Sequence, residues 1–430
     1  MMIIKNAYIW TNSKFIKKDL YVEKGEFVNE PPINSKTINL EEKYILPGFS
    51  DSHAHVLGVG IKCMSINLEQ FSFEPLFNAK DEIVLGRGWE EIPENIHILD
   101  EIQKPIILIR KCGHVAWLNE TAQKYLKFKD HLIYEQEIER IWTLLPNDFY
   151  IKAFKKGEEE FLKYGITSVH SDDFHGINFE VLQNLLRESK LRIFEKLNTA
   201  EPWIYNFGNY GISKIFGIKL FADGSLGGGT AYLSRPYKST NTYGKFVLPK
   251  NFSEIVNFAN KNNLQVCVHT IGDEALTRVL DLFERNFGHR IIHAQLVKKS
   301  DFPRLKNFVF SIQPHFAIED KEIIKNVFLK NVLFYPFKKM HDEGIKISFS
   351  SDAPVSPHNP HYVIKNALQI GFSFQDSIKL YTEASGEIIN EKIGKLEPGY
   401  KADFVVYNNK NLTSIHSVFV NGEKVYTSLV

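Results

Sequence analysis

His53 and His55, in the segment Pro47-Gly48-Phe49-Ser50-Asp51-Ser52-His53-Ala54-His55, are the first residues whose type and spacing could do chemistry. On an extended strand alternate side chains share a face, so both imidazoles point the same way and can bind one metal ion. A lone His-x-His pair is common by chance. Its place after Pro-Gly, at the end of a predicted strand, gives it weight. Three further residues fit the same pattern: His269 closes QVCVH, His293 interrupts RIIHAQ, and Asp352 ends ISFSSD just before Ala353-Pro354. Imidazole nitrogen and carboxylate oxygen suit zinc and related divalent ions. A buried histidine satisfied by a hydrogen bond explains any one of these, but it explains poorly four histidines and an aspartate at four strand ends.

Lys219 lies in FGIKLFAD, where Gly217, Lys219, Phe221 and Asp223 share one face. A buried ammonium needs a partner or a reaction. Either a salt bridge to Asp223 or Glu274, or carboxylation to a carbamate that bridges two metals, would serve, and spacing alone does not choose. The segment Gly224–Tyr237 (GSLGGGTAYLSRPY) is rich in glycine but lacks the Gly-Lys-Ser/Thr ending of a phosphate loop. It reads as a mobile lid, with Arg235 and Tyr237 as substrate contacts. Gln313 and His315 share a face at the end of a later strand, where a substrate contact and a structural role for His315 are both open. Trp89, Trp117 and Cys267 read as core.

The elements that must position these groups alternate along the chain. Strand-like runs fall at Pro47–His55, Ile166–His170, Leu191–Leu197, Phe216–Asp223, Gln265–His269, Arg290–Gln295, Phe308–His315 and Ile347–Asp352, with amphipathic stretches such as 251–261 and 274–287 between them. Eight such units predict an α/β fold, a (β/α)8 TIM-like barrel whose strand ends collect the polar residues on one face. Both chain ends are strand-rich, and Asn421-Gly422 between two strand-like runs signals a hairpin. Residues 1–47 and 397–430 are therefore expected to form a small composite β-sandwich domain. The barrel would occupy 48–396, with an insertion at about 57–160 that has structure of its own.

Composition narrows the function classes. The 430 residues are 43% hydrophobic and 24% charged with a formal net charge of +1, and no block of like charges occurs. This predicts a soluble protein acting on a small molecule, with no nucleic-acid or membrane partner and homo-oligomer formation left open. Cys63, Cys112 and Cys267 are widely spaced, so a disulfide framework is not expected and a cytoplasmic, reducing location is. The N-terminal MMIIKNAYIW reads as a strand and not as a secretory signal.

The segments LPGFSDSHAH, GRGWEE, GHVAWLNETA, GITSVH, KLFADGSLGGGTAYLSRPY, VHTIGD, IIHAQ, SSDAP and GYKADFVVYN, in that order, resemble the amidohydrolase-3 branch of the amidohydrolase superfamily, which includes proteins similar to N-substituted formamide deformylases. The resemblance implies a barrel with a metal centre on strands 1, 4, 5, 6 and 8. It implies that His53, His55 and Asp352 hold one divalent ion, expected to be zinc, and that His269 and His293 hold a second, bridged by a carboxylated Lys219. All six positions carry the expected residue types, which argues against a catalytically dead relative. The resemblance also places His114, in Gly113-His114-Val115, near the pocket, so His114, Asp223, Arg235 and His315 stand as the substrate-binding candidates. The chain departs from the pattern after strand 2, where it reads His170-Ser171-Asp172-Asp173-Phe174-His175; His170 and His175 are substrate contacts or loop residues, with the loop reading favoured. The stretch around Asp130–Trp142 looks trimmed.

The expected activity is hydrolysis of a non-peptide carbon–nitrogen bond, as in a substituted amide or formamide, by metal-activated hydroxide, with Asp352 as proton shuttle. Deamination of a heterocyclic amine is the alternative enzymatic reading, and a non-catalytic binding protein on the same fold is the third.

Overall fold

The computed structural model describes residues 1–428 apart from 12, 112–114, 135, 175, 285 and 287, and apart from the side chains of 136 and 139. The chain divides into two compact units, one of residues 1–55, 161–173 and 186–430, the other of 56–160 and 174–185.

Eight parallel strands organise the first unit: β1 (Phe49–Asp51), β2 (Ile166–Ser171), β3 (Arg192–Asn198), β4 (Ser213–Phe221), β5 (Gln265–Thr270), β6 (Arg290–His293), β7 (Val309–Ile312) and β8 (Lys346–Phe349). They lie side by side in chain order from β1 to β8. The two outer strands are drawn together by Ser52 N–H on the Phe349 carbonyl (3.1 Å) and Asp352 N–H on the His53 carbonyl (2.9 Å), which makes the sheet a nearly closed barrel. β2 is buried along its whole length, as expected of a parallel strand covered on both faces. The helices between strands are amphipathic. Phe252–Lys261 buries Ile255, Val256 and Ala259. Asp273–Phe283 buries Ala275, Leu276, Val279, Leu280 and Phe283, a 3.6-residue stripe. Ser373 caps Phe374–Leu380 by accepting the Asp376 N–H.

Strands from both chain ends form two further sheets in this unit. One has the order Glu26–Val28, Leu20–Glu23, Met2–Lys5, Lys36–Asn39; the other runs Glu423–Thr427, Ile415–Val420, Phe404–Tyr407, Tyr44–Pro47, Tyr8–Thr11, Lys14–Lys17. Their side chains share one apolar core that includes Ile4, Val22, Phe27, Ile45, Phe404 and Phe419. Asn421-Gly422 does turn the last hairpin, with φ of 53° and 76°, the left-handed pair a two-residue turn needs.

The second unit carries a five-stranded sheet in the order Leu132–Tyr134, Val115–Leu118, Ile106–Arg110, Val84–Trp89, Ile66–Asn67. Trp89 and Trp117 are buried in its apolar core. Helices Val56–Met64 and Asn147–Lys163 touch backbone to backbone at Gly60, where an added Cβ would lie 1.6 Å from the Ala153 carbonyl oxygen.

Candidate functional site

The C-terminal ends of β1, β2, β4, β5, β6 and β8 bring His53, His55, Asp172, Lys219, His269, His293 and Asp352 together. Two of these residues leave their strands in the left-handed region, His293 at φ 79° and Asp352 at φ 58°. Neither is glycine, so the backbone is strained where it aims these two side chains. The turn after β1 is fixed from below by Asp51. Its buried carboxylate accepts from Ser351 N–H (3.0 and 3.1 Å), His53 N–H (3.2 Å) and Tyr381 O–H (2.8 Å), joining the ends of β1 and β8.

The imidazoles pack as a chain of rings. His53 lies 5.2 Å from His55 and 5.5 Å from His293, and His293 lies 4.5 Å from His269. Asp352 Oδ1 is 3.2 Å from His53 Nε2 and 3.6 Å from His55 Nε2. On the opposite side of the same rings, Asp172 Oδ1 is 2.9 Å from His55 Nδ1 and 3.9 Å from His53 Nδ1. Lys219, buried, pairs with the other oxygen of Asp172 and lies 4.4 Å from the centre of the Phe221 ring. The partner of Lys219 is therefore neither Asp223 nor Glu274. The latter pairs with Lys298 at 2.5 Å.

Burial sets most of the protonation states. It pushes His53 and His269 well below the ordinary histidine value and lowers His293, and the nearby Lys219 charge acts in the same direction. His55 is the exception: burial alone would lower it, but the Asp172 and Asp352 carboxylates outweigh burial and raise it to about 10. Burial would raise Asp352, yet His293, His53 and His55 hold it well below the usual carboxylate range.

Further groups fix the tautomers. A ring nitrogen of His293, Nδ1, donates to Gln313 Oε1 at 2.8 Å, and Gln313 Nε2 donates to Ser350 Oγ at 2.8 Å. His269 Nε2 donates to the Gly224 carbonyl at 3.1 Å, leaving its Nδ1 lone pair free. The donor set fits a zinc-class divalent ion. His53, His293 and Asp352 each offer a ligand atom within 4.8 Å of the others, and so do His53, His55 and Asp172. Among the described residues, His53 Nδ1 is also buried without a hydrogen-bond partner.

The remaining sequence-derived positions are placed differently. Asp223 is held by three backbone N–H groups, Tyr232 (2.9 Å), Ile271 (3.0 Å) and Gly272 (2.8 Å), and burial raises it to about 7. It ties the 224–237 loop to the end of β5. Arg235 is exposed in that loop, and Tyr237 is buried with its hydroxyl on the Ala231 carbonyl. His315 is buried, and among the described residues neither ring nitrogen makes a hydrogen bond of good geometry. His114 and His175 lie outside the described residues. His170 is no loop residue: it is buried in β2, where Nδ1 accepts from Arg290 and Nε2 donates to Ser385 Oγ. Asp172 is the residue the sequence reading missed. Its signal was available, because it directly follows β2 much as Asp223 and Asp352 follow β4 and β8. In the second unit His97, Asp100 and His131 also converge, but His97 Nδ1 is taken up by Asp100 and His131 Nδ1 by the Leu118 carbonyl and Gln123.

The model of the amidohydrolase family (Amidohydro_3) matches residues 36–426, and the chain belongs to that family. A structure of an uncharacterized metal-dependent hydrolase from Pyrococcus horikoshii OT3 is similar at 28% identity and a TM-score of 0.85, covering 99% of this chain and 100% of that one. Its counterpart from Pyrococcus furiosus gives 27% and 0.85, covering 96% and 100%. Putative amidohydrolase YtcJ of Bacillus subtilis (strain 168) is 26% identical over 91% of this chain and 90% of its own.

Proposed function

We propose that this chain is a metal-dependent hydrolase cleaving a carbon–nitrogen bond other than a peptide bond, in a substituted amide or formamide-like molecule. The observation that carries this reading is the convergence of His53, His55, His269, His293 and Asp352 at the strand ends. The designation of the similar Pyrococcus proteins as metal-dependent hydrolases supports it. His53, His55 and Asp352 would hold one zinc-class ion; His269 and His293 would hold a second, with Lys219 carboxylated between them. When bound, such an ion lowers the pKa of water to about 7 and polarises a carbonyl oxygen.

The chain's own groups supply the rest. Asp352, kept ionised by the surrounding imidazoles, takes the proton of the attacking water and passes it to the departing amine nitrogen. Gln313 holds the His293 ring in one orientation through its Nδ1–H. His114, Asp223, Arg235 and His315 are the proposed substrate contacts. Asp223 acts by anchoring the 224–237 loop, and His315 through a ring buried just after β7. The sheets of 1–47 and 397–430 serve as a composite β-sandwich beside a catalytic barrel of 48–396, in a cytoplasmic enzyme. Among the described residues no helix is long and apolar enough to cross a membrane.

The test is turnover of N-substituted formamides and acyl amides by metal-loaded protein. Carboxylate and amine release is the expected result. Ammonia release from purine-like amines, with no amide turnover, would replace this reading with deamination.

A further inference from the structure

We infer that Asp172 is a positioning residue that orients His55 from behind, and that it does not itself bind the metal ion. This inference rests on the metal-hydrolase reading above. Both imidazoles of the His-x-His pair lie between two carboxylates, and the two sides differ in kind. The Nε2 atoms face Asp352, at 3.2 and 3.6 Å. The Nδ1 atoms face Asp172, at 3.9 and 2.9 Å respectively. His293 comes close to His53 and joins the Asp352 group, so the ligand atoms of β6 and β8 gather on the Nε2 side.

The Asp172 side has a different character. Its second oxygen is paired with Lys219 Nζ, and the whole carboxylate is buried just after β2. Its first oxygen lies at hydrogen-bond distance from His55 Nδ1, although the ring N–H is not yet aligned with it, and the atom makes no hydrogen bond of good angle. A small turn of the imidazole straightens that contact. The Nδ1 proton is then donated to Asp172, and the Nε2 lone pair is left for the ion, the arrangement in which an outer carboxylate fixes the tautomer of a metal-bound histidine. One buried carboxylate thus links two ligand-bearing positions, His55 and Lys219, and lies 3.9 Å from a third, His53.

The experiment uses the full-length chain loaded with cobalt(II), comparing wild type with Asp172→Ala and with the isosteric Asp172→Asn, which keeps an acceptor oxygen and guards against a folding defect. Chelator competition should show a 10- to 100-fold loss of affinity in Asp172→Ala and a smaller loss in Asp172→Asn. X-ray absorption should give the same cobalt coordination number in all three. Unchanged affinity in both variants would overturn the inference while leaving the metal-hydrolase reading intact. A coordination number reduced in both variants would overturn it by making Asp172 a ligand. A wild-type chain that takes up no cobalt would overturn both.

Discussion

The core shared by the terminal sheets and the interior of the barrel are built on opposite terms. Between the sheets, Met2, Ile4, Ile9, Val22, Phe27, Phe404, Val406 and Phe419 pack against one another, and the Phe404 and Phe419 rings stack at 4.4 Å. Inside the barrel the chain buries Ser50, Ser168, His170, Lys196, Lys219 and Arg290. These are linked as a network: Lys196 Nζ donates to the His170 carbonyl (2.5 Å), Arg290 Nη1 donates to His170 Nδ1 (2.8 Å) and to the Ser52 carbonyl (3.0 Å), and Ser50 joins Ser168 and Ser385. Among the described residues, Arg290 Nε and Nη2 remain buried without hydrogen-bond partners. Desolvated charge of this kind lowers stability, and the apolar sheets offset it. The lesson is a division of labour, in which one region holds the fold together and the other spends stability on a preorganised polar centre.

Four expected outcomes would sharpen or break that contrast. Asp352→Asn should reduce turnover about 10²- to 10⁴-fold with little change in the unfolding midpoint; a large loss of stability with turnover retained would reverse the assignment. Phe404→Ala, in the shared sheet core, should cost about 3–5 kcal/mol in denaturant unfolding while leaving metal content unchanged. Replacing the buried Lys219–Asp172 pair together, as Lys219→Met with Asp172→Leu, should be neutral or stabilising by about 1–4 kcal/mol, though the protein loses metal. The pair would belong with the stabilising region if unfolding showed a clear loss instead.

The smallest effect concerns pH. His289, under the barrel at the start of β6, accepts the Val266 N–H at 3.2 Å, and burial lowers it to about 4. The unfolded chain takes up this proton near pH 6.5, whereas the folded chain resists until about 4. Its contribution is therefore fully present above pH 6.5 and is lost as pH falls toward 4. Between pH 7.5 and 5 this is about 2 kcal/mol, measured as the difference between wild type and His289→Phe.

Much of this was legible in the sequence because barrels repeat: each strand of the alternation could be found, and the polar residue at its end read off. His53, His55, His269, His293 and Asp352 were found that way, and the structure brings them together. Asp172 was not, because two adjacent aspartates and a serine follow His170 and periodicity does not say which one turns inward. The partner of Lys219 was missed for a related reason. It lies 47 positions away, just after β2, and pairing across a parallel sheet leaves no local trace. His170 was misjudged because a histidine at a strand end looks like a loop residue until Arg290, 120 positions on, is seen to hold it. The loop contacts of Arg235 depend on backbone paths that one sequence encodes weakly.

The most direct test of the central claim is metal content per chain in protein purified without chelators, followed by stripping and reloading. Between one and two zinc-class ions per chain are expected, lost together with amide turnover on stripping and recovered with it on reloading. A protein that hydrolyses its substrate equally well when metal-free, or that takes up no ion at all, would contradict it.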